Sequence, residues 1–140
     1  MLKLICTHPE ILHKLALCGH GDKILITDGN YPVDSNTNDN TSKVYLNLTE
    51  GFPLVPEVLK VINETICIEK AEVTIPDSDE EPYIYHEFRD IIPEGLALIP
   101  LKRFDFYEAC RAENIKLAIA TGDQRTYANI LLTVGVVTSI

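Results

Sequence analysis

Apolar residues recur along this chain with two different periods. Ile11, Leu12, Leu15 and Cys18 fall on one face at helical spacing and predict a helix over 8–18, and Val55, Val58, Leu59 and Ile62 predict another over 54–65. Further helices are predicted over 83–92 and 102–113. The nearly continuous run Ile24-Leu25-Ile26 predicts a strand over 23–27 covered on both faces. Shorter apolar segments predict strands over 44–48, 71–75, 116–120 and 127–133, and in the last a period of two puts Tyr127 and Asn129 on one face with Ala128 on the other. The run over 96–101 reads either as a strand or as a buried connection, because Pro100 interrupts it.

Punctuation between these segments agrees with the periods. Thr7, Pro9 and Glu10 read as a capping box, with Cys6 and Ile11 as its hydrophobic staple. Gly19 is expected to be the left-handed residue that ends the first helix. The polar segment 35–42 reads as an exposed loop with no core to hold it, and Asp77 to Glu81 as a solvated acidic loop whose spacing fits no EF-hand. Lys102 and Arg103 sit oddly at the positive end of a helix, and Arg103 and Tyr107 share a face at i and i+4. Helical and strand patterns alternate at roughly βαβ spacing, which predicts an α/β fold with a mixed sheet packed by helices.

The length, 140 residues, fits one domain with a real core. A net charge of −9, from 21 acidic against 12 basic residues, repels phosphate backbones and argues against a nucleic-acid partner. Cys6, Cys18, Cys67 and Cys110 are widely spaced, as expected of reduced, buried thiols in a cytoplasmic protein. No signal-peptide pattern and no apolar run of about 18 residues is present, so no membrane association is expected. Neither G-x-G-x-x-G nor Walker A occurs, which disfavours nucleotide cofactors. His8, His13, His20 and His86 form no metal-ligand motif, and all but His20 read as ordinary helical histidines.

The chemistry concentrates in Gly19-His20-Gly21-Asp22 and Asp28-Gly29-Asn30-Tyr31-Pro32. An imidazole, with an ordinary pKa of about 6.5, gives and takes protons near neutrality, and flanking glycines let it approach a ligand closely. Asp28 ends a predicted strand, where open α/β sheets bind small molecules. With Arg103-Phe104-Asp105-Phe106-Tyr107-Glu108, Thr121-Gly122 and Tyr127-Ala128-Asn129-Ile130-Leu131-Leu132, these motifs resemble the ribose pyranase/fucose mutarotase family over nearly the whole chain.

The resemblance implies a three-layer fold and an enzyme without cofactor or metal that interconverts cyclic forms of a free monosaccharide. It also implies assembly into a ring, an octamer or decamer. Arg103 stands where the ribose branch typically has histidine, which favours the fucose branch, as do Asp28-x-Asn30-Tyr31-Pro32 and Arg103-Phe104-x-Phe106-Tyr107. On this resemblance His20 is the catalytic acid–base group. Asp28, Arg103, Tyr107, Tyr127, the backbone at Ala128 and Asn129 bind the sugar. The alternatives are a D-ribose pyranase and a non-catalytic sugar-binding or regulatory protein; a metal-dependent isomerase would need clustered ligands.

One distance bears on assembly. If residues 23–27 are extended, five residues at about 3.3 Å each hold His20 and Asp28 roughly 17 Å apart. Either the Gly19-His20-Gly21 loop curls back, or each site takes His20 from one subunit and Asp28 from its neighbour. A closed head-to-tail ring favours the second.

Overall fold

The computed structural model describes residues 1–139. In chain order the elements are α1 (Pro9–Leu17), β1 (Lys23–Thr27), β2 (Ser42–Tyr45), α2 (Val55–Asn63), β3 (Ile68–Ile75), α3 (Ile84–Ile91), β4 (Leu98–Lys102), α4 (Arg103–Ala109), β5 (Ile115–Ala120) and β6 (Ile130–Val134). The strands make one mixed sheet in the order β2-β5-β1-β6-β3-β4. β1 pairs parallel with β5, β5 with β2 and β3 with β4, while β6 runs antiparallel between β1 and β3.

Two apolar layers cover the sheet. Ile24 and Ile26 of β1, Leu117 and Ile119 of β5, and Ile130 and Leu132 of β6 pack against Ile11 and Leu15 of α1, Leu59 and Ile62 of α2, and Phe88 of α3. Leu25, Ala118 and Leu131 point to the other face, where Phe106 and Cys110 cover them. Three helices on one face and α4 on the other make three layers, and the strands buried on both faces are the continuous apolar runs of the sequence.

The structure shifts several predicted boundaries. α1 is capped by His8, whose Nδ1 accepts from the Ile11 N–H at 3.3 Å, rather than by Thr7, which is exposed. Gly19 is not the left-handed residue; Gly21 is, at φ 89°, and its N–H donates to the Val134 carbonyl at 2.9 Å. The segment 96–101 resolves as β4, an edge strand, where the missing N–H of Pro100 breaks no central ladder. The predicted strand over 127–133 begins only at Ile130, because Tyr127 adopts φ 66°. Helix α4 ends at Ala109, four residues before the expected end at 113. The 35–42 segment also has a core to hold it, since Asn36 and Thr41 are buried.

Candidate functional site

Because β6 runs against its neighbours, its start lies at the same edge of the sheet as the C-terminal ends of β1, β3 and β4. Asp28 follows β1, Arg103 follows β4, and Tyr127 to Asn129 lead into β6, so residues distant in sequence meet at that edge. There they line a cavity of about 280 Å³, which Asp28, Arg103, Tyr107, Tyr127 and Asn129 share with Tyr31 and Thr74. Ala128 is wholly buried in the core beside it, and its N–H already reaches the Arg125 carbonyl at 3.4 Å.

Asp28 is 3% exposed and firmly held. Its Oδ1 accepts from the Asn30 and Tyr31 N–H groups, both at 2.9 Å, the hydrogen-bonding pattern of an Asx turn. Asn129 grips the same residue from just before β6: its Oδ1 accepts from the Asp28 N–H at 2.9 Å and its Nδ2 donates to Oδ2 at 3.2 Å. Oδ1 is therefore occupied, and Oδ2 keeps capacity for a ligand donor. Burial pushes the carboxyl above its ordinary 3.8, outweighing the Asn30, Tyr31 and Asn129 hydrogen bonds, and the charge of Asp123 adds to the rise. Such a group holds a proton more readily than a solvated aspartate.

Aromatic side chains make one wall. Tyr31 packs edge-on against Tyr107 with centroids 5.2 Å apart, and against Phe106 at 6.4 Å. The Tyr31 hydroxyl donates to the Asn36 carbonyl at 3.0 Å and accepts from Asn36 Nδ2 at 2.6 Å. Asn36 Nδ2 also reaches the Tyr107 carbonyl at 3.0 Å, and its Oδ1 accepts from Arg111 at 2.8 Å. Asn36 thus ties the polar loop to α4. Arg103 stacks over the Phe104 and Tyr107 rings at 5.5 and 5.4 Å, and among the described residues its guanidinium has no hydrogen-bond or carboxylate partner. Thr74 Oγ1, buried beside the cavity, also lacks a hydrogen-bond partner among the described residues.

The loop before β6 is positioned by packing and charge. A Cβ at Gly122 would lie 2.4 Å from the Thr49 carbonyl oxygen and 2.7 Å from that of Phe52, so only glycine fits there. Asp123 is fully buried; its Oδ2 accepts from the Val55 N–H at the start of α2 and from Arg125 at 2.8 Å, and Arg125 pairs also with Glu87 of α3. Burial pushes the Asp123 carboxyl up, but the Arg125 bonds and the Val55 N–H more than offset it and hold the group below its ordinary 3.8. This network fixes Asp123 and Arg125, four and two residues ahead of Tyr127.

His20 lies elsewhere. It sits before β1, at the opposite end of the strand from Asp28, with its side chain 60% exposed and Nε2 3.0 Å from both oxygens of the Glu69 carboxylate. The loop does not curl back within the chain. Among the described residues no three His, Cys, Asp or Glu side chains cluster to hold a metal ion.

Of the residues singled out in the sequence, Asp28, Arg103, Tyr107, Tyr127 and Asn129 come together, while His20 and the Ala128 side chain do not line the cavity. Sequence reasoning passed over Asn36, Thr74, Asp123 and Arg125. Asn36 lies in the polar segment that reads as an exposed loop, so its composition gave no sign of an anchor.

The chain is similar to known proteins over nearly its whole length. The human fucose mutarotase is 32% identical over 138 residues, covering 91% of this chain and 88% of that protein. The D-ribose pyranase of Coprothermobacter proteolyticus is 28% identical, covering 98% and 99%. The fucose mutarotase of Streptococcus pneumoniae, solved in complex with L-fucose, superposes with a TM-score of 0.82 at 28% identity over 99% of this chain and all of that one. Residues 1–137 match the RbsD / FucU transport protein family from one end of the sheet to the other, and the chain belongs to that family.

Proposed function

We propose that this protein is a sugar mutarotase, an isomerase that opens and recloses the ring of a free aldose, with L-fucose as the substrate. The observation that carries the reading is the Asp28–Asn129 pair, with one carboxylate oxygen left for ligand donors, in a small cavity that also offers Arg103, Tyr107 and Tyr127. Polyols present donors in pairs, and a fixed carboxylate accepts them. Arg103 supplies a donor fork that has no partner among the described residues, and its standing where the ribose branch typically has histidine favours fucose over the second reading, pyranose–furanose exchange of D-ribose.

The reaction is a proton relay. One proton leaves the anomeric hydroxyl and one arrives on the ring oxygen; the C1–O bond of the ring breaks, the open-chain aldehyde forms, and closure on the other face returns the other anomer. General acid–base catalysis of this kind supplies about 10²–10⁴-fold. The proposal gives the relay to His20 and hydroxyl recognition to Asp28, Arg103, Tyr107, Tyr127 and Asn129, with the Ala128 backbone against the ring. His20 and the cavity lie at opposite ends of β1, which supports a site completed by His20 of a neighbouring copy in a head-to-tail ring. The free cysteines accord with a cytoplasmic setting.

Saturation-transfer NMR on L-fucose and D-ribose with chelator present tests the activity. Accelerated anomer exchange is expected for fucose; exchange at the buffer rate for both sugars and for related aldoses would sink the reading.

A further inference from the structure

We infer that the Asp28 cavity opens past Thr126 and Tyr127 onto a second sugar subsite, so that the protein also turns over reducing disaccharides. The reducing ring would lie against Asp28 and the glycosyl ring in the adjoining cleft. This rests on the mutarotase reading above. The cleft, about 540 Å³, lies between the segments 76–84 and 124–127, and it shares Thr126 and Tyr127 with the 280 Å³ cavity.

Its lining suits a carbohydrate. Glu81 and Arg125 are already taken, by Arg89 and by Asp123 with Glu87, but the side chains of Glu80, Gln124 and Thr126 make no hydrogen bond among the described residues. Tyr83 is 76% exposed on the rim, its ring 5.4 Å from that of His86, and offers an apolar face with a polar tip. The 76–79 turn is fixed in advance, because Lys102 Nζ donates to the Pro76 and Asp77 carbonyls at 3.1 and 3.3 Å and pairs with Asp79. Mutarotation touches only the anomeric carbon, its hydroxyl and the ring oxygen, so a substituent on another hydroxyl is a bystander wherever space exists for it. Contacts to that substituent lower KM.

The test is anomer exchange, by the same NMR method, of L-fucose and of the 1→2, 1→3 and 1→4 isomers of β-D-galactopyranosyl-L-fucose. Wild-type protein is expected to accelerate fucose and at least one isomer. Tyr83→Ala and Ser78→Trp change the cleft but not the cavity; each should raise KM for the disaccharide several-fold and leave fucose exchange within about twofold. Acceleration of fucose with none of the isomers accelerated overturns the inference, as does disaccharide exchange that neither variant alters. If fucose itself exchanges at the buffer rate, the mutarotase reading fails and the second subsite falls with it.

Discussion

Asp28 and Asp123 are both buried carboxylates at one edge of the sheet, yet their surroundings push them in opposite directions. Asp28 is raised, so the folded state holds its proton more tightly than the unfolded chain does. Its contribution to stability is complete below pH 3.8 and is lost as pH rises through the folded pKa. Asp123 is lowered; its contribution is present above 3.8 and is lost as pH falls through the folded value. Urea unfolding should therefore show Asp28→Asn gaining stability relative to wild type as pH rises from 3.8 through the folded value, by about 1.4 kcal/mol for each tenfold difference in proton affinity between the folded and unfolded chain, and Asp123→Asn losing it in the more acid window, as pH rises from the folded value to 3.8. Parallel curves for the two variants would contradict the assignment. Asp28→Asn should also weaken fucose binding by about 1.5–3 kcal/mol, the worth of a charge-assisted hydrogen bond, read as a ten- to hundredfold rise in Kd by titration.

Among the elements, the loop from Thr121 to Asn129 decides whether the site exists. Gly122→Ala puts a methyl group against two backbone carbonyls, and overpacking of that kind costs about 1–3 kcal/mol. Arg125→Met leaves Asp123 buried without its cation; since the Arg125 side chain is 38% exposed, the loss should lie near the lower end of about 3–5 kcal/mol in thermal or denaturant unfolding. This loop was also where the sequence misled. Alternation through Tyr127, Ala128 and Asn129 reads as a strand, and it places the side chains correctly, but φ 66° at Tyr127 shows an irregular turn held by Asp123, Arg125 and Glu87. Such an ion network joins positions far apart in the chain, and no local period announces it. The regular elements were legible because local rules govern them: the α2 stripe of Val55, Val58, Leu59 and Ile62 is buried as its spacing requires, and β1 matches its predicted bounds. Caps were less legible, since an imidazole in place of a hydroxyl satisfies the first turn of α1.

At the scale of the whole molecule, the sheet order brings five of the seven expected site residues into one cavity, with Ala128 buried beside it, and leaves His20 at the opposite end of β1. The strand length readable from residues 23–27 put His20 and Asp28 at opposite ends of β1 but left open a loop that curls back, and the structure shows His20 beside Glu69 instead. Leu17 at the end of α1 and Leu48 and Phe52 between β2 and α2 are exposed apolar side chains that the proposed neighbouring copy would cover. His20→Ala should lower kcat by about 10²-fold or more with binding retained, as expected when only the proton relay is removed. The measurement that tests the shared site most directly is complementation. Inactive His20→Ala and Asp28→Ala proteins are dissociated, reassembled together, and checked for mixed oligomers by mass spectrometry before anomer exchange of L-fucose is followed by NMR. A site built from His20 of one copy and Asp28 of another regenerates intact pockets and recovers part of the wild-type rate; proven mixed oligomers that stay at the buffer rate contradict it.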